Sequence, residues 1–520
     1  LVERSNFKNW HRSTLILIAV STVIRGILAA TTEFGNDEVY YVLYAMFPDL
    51  SHFDHPPMVG FLIQLFSLDL LLRSEFFIRL GAIAISAFST FLIYRITKKV
   101  SSERSGFYAA LLFTASVYAS IIAGLFILPD APQMLFWILS ISLLQDSVVK
   151  SPGTAGAQKK LLLAGLTIGL GMLSKYTSAF LWAGALAYIL LYNRQWLRKG
   201  ALYLSGIISL AVFSPVIIWN IQNHFISFTF QGSRAVFSGI NPGLWATEVL
   251  GEFIYNNPVV FILVIITLYQ LYKGSGFVSK ELRRFYLLMS IPMILVFWVI
   301  SFSRKTLPHW TGPAFFPLIL LTAMRLGHDY KDKSICIPKG IKTALIILMG
   351  GLAVSVIQIH TGIVPLQSNG FPDPTLDMYG WKQRGEKFAQ IHENAVEEGL
   401  IGKQAPIISR RWFPAANYEY YVAHEAGITV MGFSTPSQIH KYAWINSERG
   451  GFAPHMDFWA LESQNDPHSP QHRYKKLFEE IICYDTIFVE RGQRVTDTIR
   501  VYICKDLKVV PDWNMTIPAD

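Results

Sequence analysis

Residues Pro57–Leu72 read PMVGFLIQLFSLDLLL, and the sidedness of every later segment turns on whether this run crosses a membrane. It is shorter than the ~20 residues a spanning helix needs, follows a Pro-Pro pair and contains Asp69. Working outward, other apolar runs fall at 13–30, 76–94, 106–128, 131–149, 161–174, 177–193, 201–218, 257–272, 285–302, 310–324 and 343–359. If Pro57–Leu72 does not cross and the N-terminus is cytoplasmic, the inner segments are 1–12, 95–105, 150–160, 194–200, 273–284 and 325–342. They hold 22 Lys and Arg, against 5 in the outer connections 31–75, 129–130, 175–176, 219–256 and 303–309. A crossing at 57–72 would move every later loop to the other side and invert most of that bias. The positive-inside rule therefore makes this run a juxtamembrane or re-entrant helix on the outer face. Eleven spans and an outer C-terminus follow.

The composition agrees. Hydrophobic residues make up 52% of the 520-residue chain and charged residues only 16%, where soluble domains carry about 25% charged. That much apolar surface excludes a string of soluble domains. With 14% aromatics and three Cys, a disordered chain and a disulfide framework are excluded too. The net charge of +9 mostly reports the inner-loop excess. No interleaved basic and aromatic stripe is present, so no nucleic-acid partner is expected. The chain opens on Leu1, and the run 13–30 carries Arg25 without a small-residue cleavage site, which reads as a first span and not a signal peptide.

From Ile363 onward no spanning run occurs, and short apolar stretches alternate with helical patterns and Pro/Gly turns. The expected fold is a polytopic α-helical membrane protein of about 11 transmembrane helices over residues 1–360, with juxtamembrane helices in outer loop 31–75. A C-terminal extracytoplasmic α/β domain occupies 361–520. Within it, Glu386–Glu398 reads as an amphipathic helix, Ala405–Ser409 as a strand, and Thr486–Glu490 with Val501–Lys505 as a hairpin. A hairpin centred near 493–494 sets Cys483 against Cys504, and an oxidising outer compartment would permit a disulfide there. No internal repeat is evident.

Placed on this topology, the polar residues converge on one face. Asp37 and Glu38 stand in FGNDEVYYVLYAMF (34–47), His52, Asp54 and His55 in HFDHPP (52–57), and Asp130 in LPDAP (128–132). Lys175 and Tyr176 stand in LSKYT (173–177), and Arg304, Lys305 and His309 in SRKTLPHW (303–310). Acids on a watery face beside lipid suit general-base work or metal binding, and cations at headgroup level suit a phosphate carried on a lipid. Each also has a structural explanation. Asp37–Glu38 and Asp130 can cap helices, Lys175, Arg25 and Arg79 can snorkel, and the imidazoles can close a turn. Their shared face is what argues for chemistry.

Taken in order, DEVYYVLYA (37–45), HFDHPPMVGFLI (52–63), LPDAPQMLFW (128–137), LSKYTSAFL (173–181) and KTLPHWTGPAFF (305–316) resemble the C-type (GT-C) glycosyltransferases. The likeness is to the bacterial protein-mannosyltransferase-like branch that includes the aminoarabinose transferases of lipid A, and DPTLDMYGW (373–381) resembles the opening of that branch's exoplasmic domain. The resemblance implies an inner-membrane, multi-pass enzyme with an extracytoplasmic active site, taking a monosaccharide from a polyprenyl (undecaprenyl) phosphate. The sugar would pass, with inversion, to an envelope glycan, lipid or protein. It implies catalytic roles for Asp37 and, in support, Glu38. Lys175, Lys305, Arg304 and His309 would hold the donor phosphate, and Asp130, Tyr176, His55 and Arg79 would bind substrate. No obligatory metal or other cofactor is implied. His55 stands where the lipid A branch has a Lys, which argues against an aminoarabinose transferase. The rival is a transporter or flippase of lipid-linked sugars, but that predicts inverted repeats and ionisable residues at mid-membrane depth, whereas these acids lie in outer loops. A silent scaffold with a polysaccharide-binding outer domain is a third reading.

Overall fold

The computed structural model describes residues 9–234, 236–331, 336–366, 373–463 and 473–510. The chain forms two compact units, Leu1–Ala30 with Pro48–Gly351, and Thr31–Phe47 with Leu352–Asp520. The sequence reading assigns loop 31–75 wholly to the membrane domain. Instead, Thr31–Phe47 packs with the C-terminal unit, and the boundary falls near residue 351 in place of 360.

The first unit is helical, and the predicted spans fall on helices. Five helices among the described residues are long and apolar enough to cross a membrane, Trp10–Thr31, Glu75–Val100, Gly200–Gln222, Lys280–Ser301 and Lys339–Thr361. The bent pair Pro242–Tyr255 and Pro258–Tyr272 makes six if counted as one span. The other expected spans are shorter helices, Glu103–Ala115, Asp130–Gln145, Ala157–Ser174, Phe180–Tyr192 and Phe315–Asp329. Pro57–Leu72 supplies only the helix Met58–Ser67. It stops because Leu68, Asp69 and Leu70 turn into the left-handed region, with φ of 53°, 55° and 62°.

Two local devices set this packing. Small residues let helices Ala157–Ser174 and Gly200–Gln222 approach closely. A Cβ on Gly165 would lie 2.2 Å from the Ser205 carbonyl oxygen, and one on Gly169 3.0 Å from that of Ser209. Ser209 Oγ also donates to the Gly165 carbonyl at 2.5 Å. This is the small-xxx-small pattern by which helices associate where lipid is as apolar as they are. The second device is the 102° bend between Pro242–Tyr255 and Pro258–Tyr272. Pro258 begins the second helix, where its missing N–H costs nothing, and Asn257 Oδ1 caps it by accepting from Val259 N–H. The buried Asn257 amide also donates to the Ala115 and Ala344 carbonyls at 3.0 and 2.8 Å.

The second unit is built on a five-stranded sheet of order β2-β1-β3-β5-β4. Its strands are β1 (Ile407–Ser409), β2 (Val430–Gly432), β3 (Phe458–Ser463), β4 (Phe478–Arg491) and β5 (Arg494–Leu507). β1 runs parallel to β2 and β3, while β5 is antiparallel to β3 and β4. The amphipathic helix spans Trp381–Glu397 and buries Phe388 and Ile391. The expected hairpin is present and longer, but its register corrects the cysteine pairing. Cys504 faces Ile481 and Cys483 faces Tyr502, so both remain free thiols, Cys504 buried and Cys483 exposed.

The Gly165–Ser205 contact predicts that Gly165→Val destabilises the protein by about 1–3 kcal/mol, the usual cost of overpacking. Gly206→Ala, which meets no atom within 4 Å, is neutral or slightly stabilising. Thermal unfolding in detergent checks both.

Candidate functional site

In the helical unit the centre of the site is a buried ion pair. Lys175 and Asp130 are 5% and 2% exposed. Lys175 Nζ lies 2.9 Å from Asp130 Oδ1 and 2.8 Å from Oδ2. Asp130 is the first residue of its helix, where the backbone dipole favours a carboxylate. Lys175 terminates Ala157–Ser174, the helix held by the glycine contacts described above, and its backbone is extended. Gln133 fixes the approach of the two segments, its amide donating to Thr177 Oγ1 at 2.7 Å and Ser178 Oγ at 3.1 Å. Tyr118, buried, donates to Asp130 Oδ1 at 3.0 Å. Burial alone would raise the Asp130 carboxyl, but the Lys175 charge and the hydrogen bonds hold it below the usual range. An ammonium has three N–H donors. Two face Asp130, so a third remains for an anion.

His55 and His309 join this centre electrostatically. Burial drives each imidazole down to about 4, and the charges of Lys175 and Asp130 act on both. Each ring is therefore neutral above that pH and acts as a hydrogen-bonding group. The turn carrying His309 touches the same corner, because Gly312 packs on the Tyr118 ring, where a Cβ would come within 2.4 Å.

The other expected members are elsewhere. Arg304 Nε donates to the Val236 carbonyl at 2.8 Å, and the Lys305 side chain is exposed. Of these two cations that the sequence groups with Lys175, only Lys305 is displayed on the surface. Arg79 is fully buried, donates to the Ala29 carbonyl at 3.3 Å and lies over the Phe126 ring, tying helix Glu75–Val100 to the first helix. Tyr176 packs edge-on to Phe213 and Phe228. Tyr118 was not legible as a site residue, since a tyrosine in an apolar run carries no signal of its partner. Arg234, in the outer connection 219–256, also acts on His55 through its charge.

In the second unit, helix Asn36–Met46 carries Asp37 and Glu38 in its first turn. Glu38 is buried and its Oε2 accepts from Gly35 N–H at 3.1 Å, which fastens the helix start. Asp37 is exposed. Residues of the C-terminal segment hold this piece in place. Tyr421 OH accepts from Phe34 N–H at 2.8 Å, Glu33 Oε2 accepts from Trp381 N–H at 2.7 Å, and Tyr40 lies 5.0 Å from the Trp412 ring. A third carboxyl, absent from the sequence reading, completes the corner. Asp377 Oδ2 accepts from Asn36 N–H at 3.3 Å, and its Oδ1 is buried without a hydrogen-bond partner. Burial pushes this carboxyl up to about 6, with Asp37 and Glu38 adding to the shift.

Two predictions follow from this geometry. Lys175→Ala leaves the Asp130 carboxylate buried and uncompensated, and stability falls by about 3–5 kcal/mol. Replacing the pair with Lys175→Met and Asp130→Leu recovers most of that loss without restoring function; thermal unfolding of the single and double variants reads it. Asp377 titrates higher folded than unfolded, so its stabilising effect is full below about 4 and is lost as pH rises through about 6. Asp377→Asn flattens the fall in Tm across that window.

Known proteins agree with this architecture. Residues 54–219 match the family model of dolichyl-phosphate-mannose-protein mannosyltransferases, a stretch that includes His55, Asp130 and Lys175. The lipid A galacturonosyltransferase RgtD of Rhizobium johnstonii is 22% identical over 428 residues, covering 80% of this chain and 86% of its own. The crystal structure of ArnT from Cupriavidus metallidurans superposes with a TM-score of 0.57 at 11% identity, over 94% of this chain and 98% of ArnT. Its undecaprenyl phosphate complex gives 0.56 at 13% identity, over the same shares. The motifs, the family match and the superposition point the same way, and the chain shares the fold of ArnT.

Proposed function

We propose that this protein is an integral-membrane glycosyltransferase of the bacterial inner membrane. It moves one monosaccharide from a polyprenyl phosphate to an envelope acceptor on the extracytoplasmic face. The observation that carries the reading is the buried Lys175 ammonium, oriented by Asp130 with one N–H to spare beside two neutral imidazoles. A fixed, desolvated cation with a free donor stabilises an oxygen that gains negative charge far better than water does.

In the reaction, an acceptor hydroxyl oxygen attacks the anomeric carbon while the bond from that carbon to the phosphate oxygen breaks. The bonding pair leaves on the phosphate, which departs as polyprenyl phosphate, and the hydroxyl proton passes to a carboxylate. Asp37 is the carboxylate proposed, with Glu38 fastening the helix that presents it. Lys175 meets the departing oxygen, and His309 donates an N–H. Lys305, being exposed, suits the approach of the donor's anionic head, with the half-buried Arg304 beside it. Attack opposite the leaving group inverts the anomeric centre. The chemistry asks for no metal, so transfer is expected to persist after chelation. RgtD, named for its action on lipid A, makes a lipid A-type glycolipid the first acceptor to try, and ArnT with undecaprenyl phosphate makes that polyprenol the first carrier.

The test is transfer from synthetic undecaprenyl-phosphate sugars in detergent, followed by mass analysis of the product. Asp37→Asn should lower turnover on the order of 10²–10⁴-fold, the range of general-base catalysis, with unchanged folding. Near-normal turnover in that variant, or a product with retained configuration, would sink the mechanism.

A further inference from the structure

Helix Pro242–Tyr255 carries two carboxylates, Glu248 and Glu252, that are 1% and 0% exposed. Among the described residues no basic side chain pairs with either. Glu252 uses both oxygens, Oε1 accepting from Thr311 Oγ1 at 2.6 Å and Oε2 from Trp298 Nε1 at 2.8 Å. Glu248 Oε2 accepts from Thr306 Oγ1 at 2.7 Å, and its Oε1 is buried without a partner. Between them Gly251 lies against Pro308, which a Cβ would overlap at 2.1 Å. One turn farther on, the Tyr255 ring sits 6.0 Å from that of His309. At the start of the helix, Asn241 N–H meets the Phe302 carbonyl and Trp245 stacks on the Phe302 ring.

Positions 241, 245, 248, 252 and 255 recur at helical spacing and share one face. That face runs along the segment 302–311 from end to end. Two unpaired acids buried four residues apart are costly for packing alone, where apolar residues would do better. What a carboxyl adds is two acceptor oxygens on one rigid group, able to fix a threonine and a tryptophan at once. The segment so fixed delivers His309 and, through Gly312 on Tyr118, touches the Asp130–Lys175 pair.

We propose that Glu252, supported by Glu248, is a positioning residue for the phosphate-holding centre. It clamps the Thr306–Thr311 turn so that His309 and Tyr118 keep Asp130 and Lys175 in register. The proposal rests on the function inferred above, so its test uses a readout that does not need turnover. Binding of plain undecaprenyl phosphate is measured alongside hydrogen exchange of the 303–311 segment. Glu252→Ala and Thr311→Val remove the same hydrogen bond from opposite ends, so either suffices if the other fails to fold. Both are expected to speed exchange in 303–311 and to weaken binding on the order of tenfold to a hundredfold, with Glu252→Gln, which keeps one of the two acceptor oxygens, giving a smaller loss than Glu252→Ala. In a His309→Ala background, Glu252→Ala should add little further loss, as expected of residues acting as one unit. Unchanged exchange in both variants, or losses that add fully, would overturn the clamp. If wild type binds undecaprenyl phosphate but transfers no sugar, the functional reading fails, while the exchange and binding losses still support the clamp.

Discussion

The helical unit depends on the Asp130–Lys175 ion pair. Two charges removed from water are stable only where geometry and extra hydrogen bonds repay the desolvation, and several parts of the fold serve that end. The glycine-serine contact between Ala157–Ser174 and Gly200–Gln222 fixes the helix that ends at Lys175. Gln133 fastens the helix that begins at Asp130, and Tyr118 supplies another donor to the carboxylate. A fold that only needed to fill this space would use apolar side chains. The polar arrangement suits the proposed function, in which an anion arrives and leaves.

Much of this was legible in the sequence because membrane insertion leaves strong compositional marks. Lys and Arg asymmetry read Pro57–Leu72 as a helix that does not span, and the helix there is ten residues long, Met58–Ser67. Asp130 and Lys175 stood out because charges at span ends are rare, and they meet. What escaped is what depends on three-dimensional company. The sequence could not show that Lys175 would be paired while Lys305 stayed exposed, nor that burial would push the His309 imidazole down. Glu248 and Glu252 fell unremarked in the outer connection 219–256, because the 102° bend that creates their helix face comes from an Asn-Pro junction with no hydropathy signal. The cysteine pairing failed at the turn: Arg491 faces Arg494, so the hairpin centres between Gly492 and Gln493, one residue earlier than read, and the two register shifts cancel to leave Cys483 opposite Tyr502.

The acidic corner carries a related lesson about domain boundaries. Asp37 and Glu38 lie early in the chain between two apolar stretches, which is why loop 31–75 read as part of the membrane domain. Their helix nevertheless folds with the C-terminal unit, through Phe34 on Tyr421, Glu33 on Trp381 and Asn36 on Asp377. Asp377 itself is set by neighbours on the hairpin. Arg491, at the tip of β4, binds Asp373 and donates to Thr375 Oγ1 at 2.9 Å, fixing the turn from which Asp377 extends. Variation in the outer domain would therefore reach the first acidic motif without any change in the motif itself.

Charge balance explains why a lysine already neutralised by an aspartate suits the proposed chemistry. A polyprenyl phosphate sugar carries one negative charge on its diester, and the leaving monoester gains a second. An unpaired buried cation would bind donor and product strongly, and tight ground-state binding does not accelerate the chemical step. In the pair, Asp130 offsets the standing charge of Lys175, and the two imidazoles, held neutral by burial, add none. What remains is directional: one ammonium N–H and imidazole donors whose interaction strengthens as the departing oxygen takes on charge. In the proposed reaction the transition state is favoured over the bound donor for that reason, and the more highly charged product leaves without facing an unpaired buried cation.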